Sequence, residues 1–286
     1  MWGAVNLLLI GLGESFHSID YSWVLAHGHA MIFGFVGLFI MGFSFQAMPR
    51  FAGVTLRNPR LAFSTLPLLI TGILLQALAH VMAPQPPYLP LGVLAGLLQL
   101  IAVIIFVWVM VRTLRGAPTK GYYNGFVYAA LGWFLVAAVA NPIIFSLFEA
   151  AATPEEFLFN VSSFNIPYRD IQTLGIAVVM ILGVSLHILP HAYGFRTPSR
   201  RWRRFLLWGV NGAVLFGIIS FTAGMTTGVH WWHAANGISY IIFLVAAIGT
   251  PIQFRLFRPL PAGSSDRSLK FIRAAFLWFI VATLLL

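Results

Sequence analysis

The chain contains no cysteine. That excludes disulfides, zinc ribbons, iron–sulfur clusters, thiolate-ligated haem and covalent CxxCH haem attachment within it, and leaves His, Met, Tyr or carboxylate to hold any metal. Charge is almost as scarce: 8% of the 286 residues are Asp, Glu, Lys or Arg, against roughly a quarter in soluble domains. Acid is scarcest, with 7 Asp plus Glu against 17 Lys plus Arg. What is there instead is hydrocarbon, 59% hydrophobic residues with a mean hydropathy of +0.88, the composition of a polytopic membrane protein rather than a soluble enzyme. The net charge of +10 does not point to nucleic acid, because that reading needs a basic face on a soluble fold. Here the basic residues sit in short loops between apolar runs, and lipid is the expected partner.

A crossing helix needs about 20 apolar residues, and runs of that size predict an all-α bundle of eight spans: A, Ser22–Met48; B, Leu61–Met82; C, Leu89–Val111; D, Gly125–Phe148; E, Asp170–Leu189; F, Phe205–Ala223; G, Trp231–Phe254; H, Phe271–Leu286. Most prolines fall near span ends, where a missing N–H costs least; Pro142 is the exception and is expected to kink D. Trp2–Leu12 is too short to cross, so residues 1–21 read as an interfacial or re-entrant segment, and residues 149–169 as a solvated outer loop. Sixteen of the seventeen basic residues fall in loops A–B, C–D, E–F and G–H, and only Arg169 falls in the alternate set. By the positive-inside rule those loops are cytoplasmic, in a multi-pass inner-membrane protein whose span A starts outside.

A shift of 141 residues lays Met41–Gly53 on Leu182–Gly194, matching Gly42 with Gly183, Ser44 with Ser185, Pro49 with Pro190 and Gly53 with Gly194, and also Gly34 with Gly175. This predicts two four-helix halves in parallel, 22–148 and 170–286, within one transmembrane domain.

The eight histidines are unevenly placed. His17 precedes A, His27 and His29 open it, His80 lies near the same end of B, and His230 and His233 open G from that side; His187 and His191 lie at the opposite end of E. Ionisable residues inside spans are costly and usually functional, although a single His at a helix end is more often a hydrogen-bonding residue. His27 and His29 are i, i+2, about 200° apart on a helix, so they serve opposite flanks and cannot chelate one ion. His230 and His233 share a face, as do His187 and His191, with Pro190 disturbing that turn. The carboxylates Glu14, Asp20, Glu149, Glu155, Glu156 and Asp170 are expected outside or at the outer rim, and no polar residue is expected at mid-membrane.

The stretch AHGHAMIFGFVGLFIMGFSFQAMPRFAG, Ala26–Gly53, resembles the haem-ligating helices of the haem–copper oxidase subunit I superfamily. It is closer still to the NnrS family of haem- and copper-containing membrane proteins linked to nitric oxide metabolism, with their HxH-x-M-x-FGF pattern. Asp170–Gly194 looks like a second helix of the same type. The resemblance implies one or two b-type haems, with His27, His29, His80, His230 and His233 as candidate ligands, and copper as a possible second metal at His187 and His191 or an outer pair. It also implies that the two histidines of the His-x-His pair serve different haems. There is no His-Pro-x-x-Tyr and no His-His pair, which argues against a complete oxygen-reducing oxidase and against redox proton pumping.

Two functions follow as expectations. One is a b-type haem protein for electron transfer, an oxidoreductase subunit of a respiratory or nitrogen-oxide-related complex, with a periplasmic cytochrome c docking on the D–E loop. The other is a haem-free membrane scaffold or small-molecule transporter whose histidines are interfacial.

Overall fold

A computed structural model describes residues 2–13, 21–118, 121–258 and 268–285. His17, Glu14, Asp20, Lys120, Pro259 and Arg267 lie outside the described residues. The described chain is helical throughout its regular structure, with no strand. We number its continuous helices α1, Trp2–Gly13; α2, Tyr21–Phe51; α3, Pro59–Met82; α4, Tyr88–Arg115; α5, Tyr123–Glu149; α6, Pro154–Tyr193; α7, Arg200–Thr227; α8, Trp231–Phe254; and α9, Ser268–Leu285.

Seven of these, α2 to α8, are long and apolar enough to cross a membrane. The expected eighth span falls on α9, an 18-residue helix that is not among those seven. Lys270 and Arg273 occupy its start, so its uncharged run, Ala274–Leu285, extends only about 18 Å at 1.5 Å per residue.

Span E is the one whose start was misread. The expected loop 149–169 is largely helix, because α6 begins at Pro154 and runs for 40 residues. The start signal is local: Thr153 is the N-cap and accepts from the Glu156 N–H at 3.2 Å, Pro154 takes the first helical position, and the Glu156 carboxylate accepts from the Ala152 N–H at 2.9 Å. Two orphan N–H groups are satisfied from one Thr-x-x-Glu pattern. Pro167, expected near a span end, therefore sits inside a helix.

The chain divides into two compact units. Unit 1 comprises Met1–Gly121 and Leu131–Thr173; unit 2 comprises Tyr122–Ala130 and Leu174–Leu286. The helices α5 and α6 are shared between them along the chain. Within unit 1, α3 and α4 form the closest helix pair. Gly72 makes this possible, since a Cβ there would stand 2.6 Å from Gln99 Cγ and 2.9 Å from the Ala95 carbonyl oxygen. Gly96 likewise receives Pro142, and Gly92 receives the Phe145 ring.

The helices α2 and α6 each contain a π-helical segment, Ala30–Val36 and Ile171–Val178. The 141-residue shift carries Ala30 onto Ile171. It also pairs Gly53 with Gly194, and both have positive φ, +65° and +66°, beyond the helix ends. Such wide turns are rare and cluster at functional sites.

Candidate functional site

Unit 1 contains a chain of polar side chains in the middle of apolar helices. His29, one residue before the π segment of α2, is 4% exposed and its Nε2–H donates to Gln99 Oε1 at 2.8 Å. Gln99 Nε2 donates to Gln76 Oε1 at 2.6 Å. Gln76 and Asn141 then bond reciprocally, Gln76 Nε2 to Asn141 Oδ1 at 3.0 Å and Asn141 Nδ2 to Gln76 Oε1 at 2.9 Å. Tyr168 closes the chain by donating its hydroxyl to Asn141 Oδ1 at 3.1 Å. Five helices contribute one residue each: α2, α4, α3, α5 and α6.

A second buried pair lies beside it. His80 Nδ1 donates to Glu149 Oε1 at 2.7 Å, and both side chains are about 5% exposed or less. The other Glu149 oxygen accepts from Ser22 Oγ at 3.4 Å, and the Glu149 backbone carbonyl accepts from the Tyr88 hydroxyl at 2.8 Å. With Nδ1 committed to a carboxylate, Nε2 is the nitrogen left to bind a metal, the arrangement that second-shell carboxylates impose on metal-binding imidazoles.

His29 and His80 line one cavity of about 20 Å³, together with Gln76, Asn141, Asn165 and Arg169 on its polar side. Its apolar side is Leu25, Ile144, Phe145 and Phe148. The imidazoles are held in place by rings: His29 stacks on Phe33 at 5.3 Å, and His80 meets the Phe145 edge at 4.8 Å. Arg169 donates to Gln172 Oε1 at 3.0 Å and approaches the Leu25 carbonyl at 3.5 Å. Its guanidinium lies over Gly28, where a Cβ would come within 2.9 Å, so the small residue between His27 and His29 is what lets Arg169 reach this turn.

The two histidines of the His-x-His pair part company as their spacing predicts. His27 is half-buried on the other flank of α2, against α1, with its Nε2 3.0 Å from where a Gly3 Cβ would stand. In unit 2, His230 and His233 are exposed, and the His233 ring rests against Gly224. His187 and His191 stack at 4.5 Å, His191 Nδ1 donates to the His187 carbonyl at 2.7 Å, and Tyr123 lies 4.7 Å from the His187 ring. Among the described residues no group of three His, Cys, Asp or Glu converges on a point.

One expectation needs correction. Gln76, Gln99 and Asn141 are almost fully buried inside long apolar helices, so these spans do carry internal polar residues. Glu149, expected at the outer rim, is the last residue of α5 and is buried against His80. The signal for the network was present in the sequence as single polar residues interrupting apolar runs, LLQAL, LLQLI and VANPI, which are costly unless paired.

A family model described as NnrS protein matches residues 1–286. The chain is therefore an α-helical, multi-pass membrane protein, and it belongs to the NnrS family. No curated protein and no solved structure matches it.

Proposed function

We propose that this chain is a membrane-embedded redox-metal protein, and that His29 and His80 of unit 1 are the imidazoles that hold the metal. The observation that carries this reading is the 2.7 Å bond from His80 Nδ1 to Glu149, which leaves Nε2 as the basic nitrogen of a ring lining the same cavity as His29. Imidazole suits copper and iron among the first-row metals. Such an ion supplies one-electron chemistry when bound. The chain's own residues do the rest: Glu149 fixes the ring orientation of His80, Gln99 holds His29, and Leu25, Ile144, Phe145 and Phe148 form the apolar side of the cavity. Electron transfer is the activity this arrangement serves.

A bare ion fits the donor set better than a haem between these two rings. A cavity of about 20 Å³ accommodates roughly one water-sized occupant, whereas organic ligand sites run to about 300–1,000 Å³. The second reading is a b-type haem. It is favoured by His27, whose ring lies on the flank of α2 away from this network and does not line the cavity.

One preparation tests both. Metal analysis and a pyridine-haemochrome count on purified wild type, His29→Ala, His80→Ala and His27→Ala are expected to show bound copper or iron lost in the His29 and His80 variants. Any haem should survive in those two and fall in the His27 variant. Loss of a Soret band on changing His29 or His80 would place the haem on those rings and overturn the ion reading. Wild-type protein that binds neither metal nor haem would remove both.

A further inference from the structure

At one end of unit 1, basic side chains gather where the hydrocarbon of α4 stops. The uncharged run Tyr88–Val111 extends about 36 Å at 1.5 Å per residue, enough to cross a hydrocarbon core of about 30 Å. Arg112 and Arg115 follow it directly, so their guanidinium groups reach the level of the lipid headgroups. Arg57 comes to the same helix end from the connection between α2 and α3. Its backbone N–H donates to Thr113 Oγ1 at 3.1 Å, and its Nη2 lies 3.9 Å from where a Gly116 Cβ would stand. None of these three arginines is in an ion pair among the described residues.

Alongside them runs an open groove of about 540 Å³, within the range of organic ligand sites, about 300–1,000 Å³. Ile104, Val107 and Trp108 of α4 line its apolar length with Leu135 of α5, and Arg112 and Arg115 line its charged end. Ile104 lies about 12 Å deeper along α4 than Arg112 at 1.5 Å per residue, which is acyl-chain depth. Trp108 anchors the nearer guanidinium: Arg112 Cζ lies 5.4 Å from the centre of its ring, a cation–π contact that keeps the charge on the groove. No carboxylate lines the groove. An ammonium headgroup therefore finds no counter-charge there, while a phosphate meets two guanidinium groups whose planar donor forks match its oxygens. Arginines that only resist translocation need no apolar slot beside them. Here charge and slot are walls of one groove.

We propose that this groove binds one anionic phospholipid, its phosphate held by Arg112 and Arg115 and one acyl chain lying along Ile104, Val107, Trp108 and Leu135. A lipid seated there touches both α4 and α5, the helices that carry Gln99 and Asn141. The site is independent of any metal at His29 and His80.

The test uses delipidated full-length protein in detergent, titrated with phosphatidylglycerol and separately with phosphatidylcholine of the same acyl chains, with bound lipid counted by native mass spectrometry. The first phosphatidylglycerol is expected to bind about tenfold more tightly than phosphatidylcholine. That preference should fall to about twofold or less in Arg112→Gln/Arg115→Gln, whose two positions are exposed and tolerate the change. It should persist in Arg200→Gln/Arg201→Gln, which removes two exposed arginines of α7. Val107→Trp, which fills the slot and leaves every charge in place, should weaken phosphatidylglycerol binding severalfold. Equal affinity for the two lipids in wild type overturns the proposal, as does a preference that survives loss of both groove arginines. A preference lost equally in the α7 variant overturns it by showing an effect of overall basic charge. Binding untouched by Val107→Trp overturns it too, because headgroup attraction would then act with no chain in the groove.

Discussion

In unit 2, three hydroxyl groups inside apolar helices bond chiefly to their own backbone. Ser220 donates to the Phe216 carbonyl at 2.7 Å, Thr250 to Ala246 at 2.6 Å and Thr283 to Phe279 at 3.1 Å, each four residues back. In unit 1, amides and imidazoles reach across to other helices, from His29 through Gln99 and Gln76 to Asn141 and Tyr168. The difference lies in side-chain length and in what each choice commits. A Ser or Thr hydroxyl that bonds its own helix leaves neighbours free to slide. An amide that bonds a facing helix fixes register and is left unsatisfied if the helix moves. Unit 1 is therefore the part of the molecule built to hold side chains in one geometry, and the π segment directly after His29 belongs to that part. The equivalent position before the π segment of α6 is Asp170, so the repeated backbone carries different chemistry in its two copies.

The largest expected effect comes from Gln76, the side chain with three bonds in the network. Gln76→Leu leaves the Gln99 Nε2 and Asn141 Nδ2 donors without partners, while Asn141 Oδ1 keeps Tyr168 and Gln99 Oε1 keeps His29. At about 1–3 kcal/mol per buried unsatisfied group, partly relieved by relaxation, a destabilisation of about 3 kcal/mol is expected. Ser220→Ala removes a hydroxyl whose short bond lies within its own helix and whose cross-helix approach, to Asn236 Oδ1, is 3.4 Å, and is expected to cost about 0.5 kcal/mol or less. Thermal unfolding of both variants in the same detergent measures the contrast. Equal losses would mean that cross-helix bonding is not what distinguishes unit 1.

Much of this was legible in the sequence, and the exceptions have physical causes. The ends of α3, α5 and α8 follow from where apolar runs stop, because hydrocarbon length is the one constraint every span must meet. The opposite flanks of His27 and His29 follow from helical geometry alone. The start of α6 was missed because residues 154–170 are not apolar, and a run-length reading sees only hydrophobicity; the Thr153-x-x-Glu156 cap that begins the helix is a different kind of signal. The network was missed for a related reason. Gln76, Gln99 and Asn141 each look like a minor interruption within a hydrophobic run, and which faces of three helices meet is decided by Gly72 and Gly96, where backbones approach. Nothing in the spacing along one helix reports that.

Those glycines supply the smaller test of the same contrast. Gly72→Ala puts a methyl group 2.6 Å from Gln99 Cγ and 2.9 Å from a backbone oxygen that cannot swing away. The helices α3 and α4 must then separate and the Gln99–Gln76 bond must lengthen, at about 1–3 kcal/mol for overpacking. In unit 2, Gly212 of α7 has nothing within 4 Å of where its Cβ would be. There Gly212→Ala only relieves the backbone entropy of a mid-helix glycine, and is expected to be neutral or stabilising by up to about 1 kcal/mol. Hydrogen exchange at the helix amides reads both. Gly72→Ala should speed exchange in α3 and α4 together, because the bond that breaks spans both helices, whereas Gly212→Ala should slow exchange in α7 alone. If Gly72→Ala leaves α4 protected, the two helices are not coupled through Gln99 and the network is a set of independent pairs.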